Sequence, residues 1–275
     1  MPTTAKIAVV PALKHILALL AVAGTAPGPD TFSGSITDSA GHPLSGAEVT
    51  IYGTTGAGQH ASFELRTDAS GRYSIHVPRG LYTARAYANV TWNGNQYRLS
   101  LHPADNENSR SYDSKPGVLK NFVWRLSGLK AFRNPDPERP ESYYGGAIHI
   151  VLSDPMRMGV DAYVVFAPST VIEVLLNPIG ALLDGSTAHP LLFEVKASSY
   201  SPHQCFLRDI PAGRYLVTAR ARKAGTSIPL RVAASVHEGG TPAPPAKSVD
   251  IAFQPSNLLG PSSDGFETVT LYVMN

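Results

Sequence analysis

The fold is decided by the stretch GSITDSAGHPLSGAEVTIY, which runs from Gly34 to Tyr52. A short strand predicted over residues 33–37 ends at the turn Asp38–Gly41, and residues 47–52 then alternate polar and apolar side chains with a period of two. Alternation with this period is typical of a half-buried β-strand, and Asp and Gly favour turns. The stretch therefore predicts two β-strands joined by a turn-rich connection.

The same pattern continues further along the chain. More strands are predicted over residues 63–67, 72–77 and 81–87, with turns at Asp68–Gly71 and Pro78–Gly80 between them. Short strands separated by turns at this spacing predict an antiparallel meander.

The pair Asn93-Gly94 is the strongest short-range hairpin signal in the chain. It separates residues 90–92 from residues 96–99, and Asn-Gly favours the tight turn of a two-residue β-hairpin. We expect this hairpin to project from the sheet as a two-stranded arm.

Three turn motifs occur in a fixed order. They are G-x-I-T-D-x-x-G-x-P-L-x-G-A-x-V-x-I-Y at Gly34–Tyr52, T-D-x-x-G-x-Y at Thr67–Tyr73 and P-x-G-x-Y at Pro78–Tyr82. As a set they resemble the carboxypeptidase regulatory-like domain, over about 60 residues. This resemblance implies a transthyretin-like, starch-binding-domain-like β-sandwich, and it implies a fold more than an activity.

The glycines and aspartates of these turns have a structural interpretation. Gly71 and Gly80 suit positions of positive φ, and Asp38 and Asp68 can form Asx turns. Calcium takes six to eight oxygen ligands. Because neither turn contains a further acidic residue, we interpret the two aspartates as turn residues rather than as calcium ligands.

A second, more diverged copy of the pattern follows. Five residues repeat the spacing of Tyr73, Val77, Pro78, Gly80 and Tyr82, namely Phe206, Ile210, Pro211, Gly213 and Tyr215. Residues 146–152 and 160–166 can take the places of the first two strands, and residues 269–273 can close the sheet. The copy lacks the T-D-x-x-G-x-Y turn and carries an insertion over residues 169–189.

The predicted fold class is therefore all-β. We expect two tandem antiparallel β-sandwiches, transthyretin-like or immunoglobulin-like, of which the first carries the extended hairpin arm. Signs of helix are limited to residues 170–176 and 179–183.

The N-terminal residues predict export. Lys6 and Lys14 precede the apolar run 16–23, which ends in the A-x-A cleavage pattern of a signal peptide over residues 1–23. An uncleaved anchor is the alternative, although the run is about half the length that a bilayer span needs.

The rest of the chain divides at a polar, Pro-rich segment. We assign residues 27–132 to the first sandwich with its hairpin extension, residues 133–141 to a linker and residues 142–275 to the second sandwich.

Charge and cysteine content exclude several classes of protein. The formal net charge of +2 comes from Lys6 and Lys14 alone, and a near-neutral chain without a basic stripe is unsuited to nucleic acid. Cys205 is the single cysteine, so an intrachain disulfide is impossible. We interpret it as a core residue, because no third group would orient a catalytic pair made of Cys205 and His203.

No catalytic motif is present. The nine histidines include no H-x-x-E or H-E-x-x-H pattern, and no G-x-S-x-G elbow occurs. The resemblance is to the accessory module of zinc carboxypeptidases, without their catalytic domain. We therefore predict a protein that is not an enzyme, with no metal and no cofactor.

An aromatic, Asn-rich segment supplies the candidate ligand-binding residues: Trp92, Asn93, Asn95, Tyr97, His102 and Tyr112. Rings that stack on sugar faces and amides that bind hydroxyls are the chemistry of carbohydrate recognition. The alternative is that the alternating rings pack on the sheet as core, and for Trp124 we favour a place in the core or at the interface between the domains.

Two functions follow from these observations. The first is an exported non-catalytic binding module that recognises carbohydrate or a cell-envelope polymer, with no stable membrane span after signal cleavage. The alternative is a structural protein–protein interaction subunit of an envelope or secreted assembly, in which edge strands or the arm would bind the partner.

Overall fold

A computed structural model describes residues 26–107, 110–130, 135–156, 166–197, 205–235, 242–253, 255, 266 and 268–275. The regular structure of these residues is almost entirely β, and a short 3-10 helix occupies Pro140–Ser142. The predicted all-β class with two sandwich-like sheets is confirmed. Among the described residues, no helix has the length and apolar character needed to cross a membrane.

The first sheet contains nine strands. They are β1 Thr31–Thr37, β2 Glu48–Thr55, β3 His60–Arg66, β4 Arg72–His76, β5 Gly80–Trp92, β6 Asn95–Pro103, β7 Tyr112–Asp113, β8 Val118–Leu119 and β9 Phe122–Val123. Their order is β3-β2-β5-β6-β9-β1-β4, with β7 beside β5 and β8 beside β1. Phe32, Ile36, Val49, Ile51 and Tyr82 are fully buried in the core of this sheet.

The second sheet contains eight strands. They are β10 Gly146–Val151, β11 Val171–Pro178, β12 Leu191–Lys196, β13 Phe206–Ile210, β14 Arg214–Lys223, β15 Thr226–Ser235, β16 Val249–Ala252 and β17 Val269–Met274. Their order is β12-β11-β14-β15-β17-β10-β13, with β16 beside β14.

The two sheets have the same topology. Strand for strand, β12, β11, β14, β15, β17, β10 and β13 take the places of β3, β2, β5, β6, β9, β1 and β4. In each sheet the first strand also has a parallel neighbour, β9 for β1 and β17 for β10, among antiparallel pairs. The structure thus contains the same sandwich topology twice, as the repeated spacing of the P-x-G-x-Y motif indicated.

The repeated P-x-G-x-Y motif makes the same contact in both copies. The Tyr82 hydroxyl donates to the Pro78 carbonyl oxygen at 2.8 Å, and the Tyr215 hydroxyl donates to the Pro211 oxygen at 2.8 Å. Each hydroxyl satisfies a carbonyl at the bend before its own strand, so the tyrosine fixes that corner of the sandwich.

One glycine has a different role from the expected one. Gly71 has a φ of +68°, as predicted. Gly80 is required for close packing instead, because a Cβ atom there would lie 2.3 Å from the Thr54 carbonyl oxygen.

The helical interpretation of residues 170–176 is wrong. Strand β11 occupies Val171–Pro178 and buries Ile172, Val174 and Leu176 completely. A short apolar run cannot be assigned to helix or strand by periodicity alone, and here β-sheet pairing on both sides decides it. The predicted strand 160–166 lies outside the described residues, except for Phe166.

The two sandwiches meet at an apolar junction. Leu183 and Ala212 of the second sandwich are buried in the core cluster of the first, together with Trp124 and Leu126. At the same place the Ser39 amide and hydroxyl both donate to the Asp184 carboxylate. The loop between β11 and β12 therefore covers one end of the first core.

The chain leaves the first sheet after β9 and enters the second sheet at β10. Of the linker predicted over residues 133–141, residues 133–134 lie outside the described part, and residues 135–141 lead into the 3-10 helix. The division of the chain at this linker stays a prediction.

Candidate functional site

The predicted hairpin arm is formed by the ends of β5 and β6. Asn93 and Gly94 have φ angles of 48° and 79°, which is the left-handed conformation that a type I′ turn requires at both central residues. Trp92 pairs with Asn95 next to the turn. Asn93 and Asn95 are exposed at the tip.

Trp92 is half-buried and packs against the first core cluster. Its Nε1 atom is buried and has no hydrogen-bond acceptor within the described part of the chain. A buried indole N–H usually finds an acceptor, because desolvation without one costs about 1 to 3 kcal/mol.

Tyr97 and His102 do not present their rings to solvent. Tyr97 is 7% exposed, in the core cluster. His102 is 6% exposed, and its ring packs against Tyr144 with the two ring centroids 4.1 Å apart. Burial, together with the charges of Lys130 and Arg125, lowers the pKa of His102 to about 3.

Tyr112 lies far from the arm tip. It pairs with Tyr82, which precedes Trp92 by ten residues on β5, a separation of about 33 Å at the rise of a strand. The structure therefore does not bring the six candidate residues into one exposed surface. Trp92, Asn93 and Asn95 remain together at the tip.

Tyr112 instead belongs to a polar cluster around a buried lysine. The Lys120 side chain is 1% exposed, and its Nζ donates to both carboxylate oxygens of Asp105, at 2.7 and 2.9 Å. It also contacts the Tyr112 hydroxyl at 2.7 Å and the Glu107 carbonyl oxygen at 3.0 Å. We call Lys120, Asp105 and Tyr112 the lysine cluster.

The cluster fixes the charge of Asp105. Burial raises the pKa of this carboxyl, but hydrogen bonds from Lys120 and the Glu107 amide outweigh it, so the pKa lies below its ordinary value. All donors of the ammonium group have acceptors, so the cluster is suited to holding Asp105, Glu107 and Tyr112 against the sheet rather than to catalysis.

The hairpin arm and the lysine cluster both belong to the first sandwich. Residues 31–109 match the family model of the carboxypeptidase regulatory-like domain. The resemblance found for the first sandwich is confirmed. The match covers less than a third of the 275 residues, and it supports a non-catalytic structural or binding module.

Several solved structures share weaker similarity with the chain. The Bacillus anthracis TIE protein is 14% identical, with a TM-score of 0.28, and the match covers 72% of this chain and 31% of that one. A DUF3823 family protein from Bacteroides ovatus is 10% identical, with coverage of 82% and 98% and a TM-score of 0.23. The major pilin from Streptococcus pyogenes is 11% identical, with coverage of 90% and 98% and a TM-score of 0.26. No curated protein matches the chain.

The outer face of the regulatory-like domain carries an ion network. Glu48 on β2 accepts hydrogen bonds from Arg98 and Arg66, each at 2.8 Å, and from Asn89 at 2.8 Å. The bonds from Arg98 and Asn89 lower the pKa of Glu48. On β11 of the second sandwich, Glu173 occupies the corresponding place.

Glu173 has a similar environment. It is 5% exposed and accepts from Arg220 and Arg222 on β14. Burial raises its pKa, but the two arginines outweigh this and lower it. The repeated glutamate joins neighbouring strands in both sheets, which is a structural role.

The regulatory-like domain has an open edge at β3. Thr55 N–H donates to the Gln59 oxygen at 2.8 Å, and Thr67 N–H donates to the Ala47 oxygen at 2.9 Å. Hydrogen-bonded pairs alternate along an antiparallel ladder, so the odd-numbered residues of β3 bond to β2. The amides of His60, Ser62, Glu64 and Arg66 therefore point to the open edge.

Cys205 is half-buried against the second core cluster. Burial raises the pKa of its thiol to about 11, so the thiolate needed for nucleophilic attack is scarce at neutral pH. Within the ranges that the structure describes, no three His, Cys, Asp or Glu side chains are grouped so that they could hold a metal ion.

Proposed function

We propose that this chain is an exported, non-catalytic interaction subunit of an envelope or secreted assembly, and that a protein partner adds a strand to the open edge β3. Export rests on the signal-peptide pattern of residues 1–23, which lie outside the described part. The observation that carries the partner assignment is the row of outward-pointing amides on β3.

The apolar side of β3 supports the same proposal. Ala61, Phe63 and Leu65 point toward the core but are only partly buried. On the corresponding strand of the second sandwich, Phe193 and Val195 are 7% and 6% exposed. A strand added beside β3 would satisfy its free backbone groups and cover Phe63 and Leu65.

Ser62→Pro is expected to abolish partner binding and leave the fold intact. Proline removes the outward N–H of Ser62, which bonds nothing in β2, whereas it is tolerated on an edge strand. The measurement compares the partner that co-purifies from source cells with wild-type and variant protein, and the melting temperature of each.

Ala61→Pro is the matched control, because the Ala61 N–H points toward β2. It should lower the melting temperature. Partner recovery that is unchanged by Ser62→Pro would contradict strand addition at this edge.

The arm tip favours carbohydrate as a second candidate function. Trp92 is half-buried beside the turn, and the exposed Asn93 and Asn95 side chains stand next to it. The exposed part of the Trp92 ring could stack on a sugar face while the two amides bind neighbouring hydroxyls. Tyr97, His102 and Tyr112 do not take part in this reduced site.

Trp92→Ala should weaken binding to a glycan-array hit several-fold, because a stacked ring contributes about 0.5 to 1.5 kcal/mol beyond its buried area. Calorimetry with the purified glycan measures this change. Trp124→Ala is the control, since a 4% exposed ring supports the fold and should cost about 3 to 5 kcal/mol of stability. A large loss of stability in Trp92→Ala with unchanged affinity would make Trp92 a packing residue.

A further inference from the structure

Strand β12 is an open edge of the second sandwich, as β3 is of the first. The Ala197 N–H donates to the Thr170 carbonyl oxygen at 2.9 Å, and this pair continues the register of β12 with β11. Because bonded residues alternate along an antiparallel ladder, the amides of Leu192, Glu194 and Lys196 point away from β11. These amides have no strand beside them within the described residues.

The two open edges carry charges of opposite sign. Glu64 of β3 and Lys196 of β12 are exposed, and neither side chain forms an ion pair or a hydrogen bond within the residues that the structure describes. The next charge on each edge, Arg66 or Glu194, already takes part in an ion pair within its own sheet. The uncompensated charge is thus negative on β3 and positive on β12.

The order of charges along the two strands selects one antiparallel register. With Glu64 opposite Lys196, the next pair on the outer face is Arg66 opposite Glu194, so both pairs join opposite charges. A shift by two residues in one direction would set Glu64 against Glu194. A shift in the other direction would set Arg66 against Lys196.

We propose that the partner strand of β3 is β12 of a second copy of this chain, added antiparallel with Glu64 opposite Lys196. This inference rests on the proposed function, because it names the partner at the same edge. The outward amides of both strands then bond across the interface, and Val195 lies beside the partly buried Leu65 on the core side. Because the two edges differ, each copy keeps one edge free, so copies can add head to tail.

Pairing of β3 with β3 of a second copy compensates fewer charges. It would bring Glu64 opposite Arg66, which is already bonded to Glu48 at 2.8 Å, and Lys196 would gain nothing. It would also use the same edge of both copies and stop at a closed dimer. The two pairings therefore differ in the assemblies that they allow.

Sedimentation velocity of the purified protein over a concentration series tests the proposal, and we expect the wild type to self-associate. Glu64→Pro removes an outward amide of β3 and Glu194→Pro removes one of β12, whereas proline is tolerated on an edge strand. Each variant alone should be monomeric, and their mixture should form a one-to-one dimer and nothing larger. A dimer of Glu194→Pro alone would indicate β3–β3 pairing and overturn the proposal.

Charge exchange tests the register without proline. Glu64→Lys should weaken self-association about fivefold, because it sets like charges opposite each other. Adding Lys196→Glu restores opposite signs and should recover the wild-type association. Lys223→Glu is the matched control for this second change, since Lys223 is an exposed lysine on β14 in the same sheet, and it should recover nothing. Equal association of the two double variants would contradict the register.

Failure of this inference can be told apart from failure of the proposed function. A protein that is monomeric at every concentration overturns the pairing of copies, and the proposed function stands if Ser62→Pro still abolishes recovery of a different protein. If Ser62→Pro changes neither self-association nor partner recovery, strand addition at β3 is itself wrong, and this inference falls with it.

Discussion

Gly34→Ala is expected to destabilise the first sandwich by at least about 3 kcal/mol. A Cβ atom at this position would lie 1.9 Å from the Lys120 carbonyl oxygen and 2.7 Å from its carbonyl carbon. Both are backbone atoms, and the Lys120 amide is held to the Ser33 oxygen at 2.8 Å. No rotamer change can relieve the overlap, so strands β1 and β8 have to separate.

Denaturant unfolding followed by circular dichroism measures this loss. Gly28→Ala is the matched control, because no atom lies within 4 Å of a Cβ built at Gly28. It should change stability by less than about 0.5 kcal/mol. Equal stability of the two variants would show that β1 and the Lys120 segment are not packed as described.

Lys120→Met is expected to cost about 3 kcal/mol. Removing one partner of a buried ion pair typically costs about 3 to 5 kcal/mol, and the lower end applies because the Asp105 side chain is 48% exposed and regains water. The Glu107 oxygen and the Tyr112 hydroxyl lose their donor as well. Lys115→Met, at an exposed position in the same segment, is the control and should be nearly neutral.

The pH dependence of the stability difference between wild type and Lys120→Met provides a second measurement. The pKa of Asp105 is lowered in the folded protein, so its contribution is present above the ordinary Asp pKa and is lost as the pH falls through the lowered value. The stability gap between wild type and Lys120→Met should therefore narrow in acid. A gap that is constant from neutral pH to strongly acidic pH would contradict an ion pair.

Much of the architecture could be predicted because local chemistry and the global fold agree. Turn residues such as Gly71 mark the ends of strands. Tyr82 and Tyr215 each follow a proline by four residues, so the contact made by one tyrosine could be expected for the other. The helix predicted over residues 170–176 is wrong for the opposite reason. Its apolar run pairs with β12 on one side and with β14 on the other, and no local pattern contains that information.

The candidate site was less predictable than the fold. The identities of Tyr97 and His102 fit a binding surface, but the direction of a ring depends on which face of the strand is covered, and Tyr144, which covers His102, comes from the second half of the chain. The buried position of Lys120 could not be predicted from the sequence, because a lone lysine is ordinarily exposed. Its neighbours Val118 and Phe122, both buried, are the hint that the sequence offered.

The contact of Leu183 and Ala212 with the first core has a consequence for biosynthesis. A chain emerges N-terminal end first, so β1 to β9 are complete before these two residues exist. Until the β11–β12 loop has been synthesised, one end of the first core is exposed to solvent around Trp124 and Leu126. The N-terminal half therefore reaches its final stability only after the C-terminal half has been synthesised. Until then the exposed apolar end of the first core is a site at which a chaperone would protect the nascent chain from aggregation.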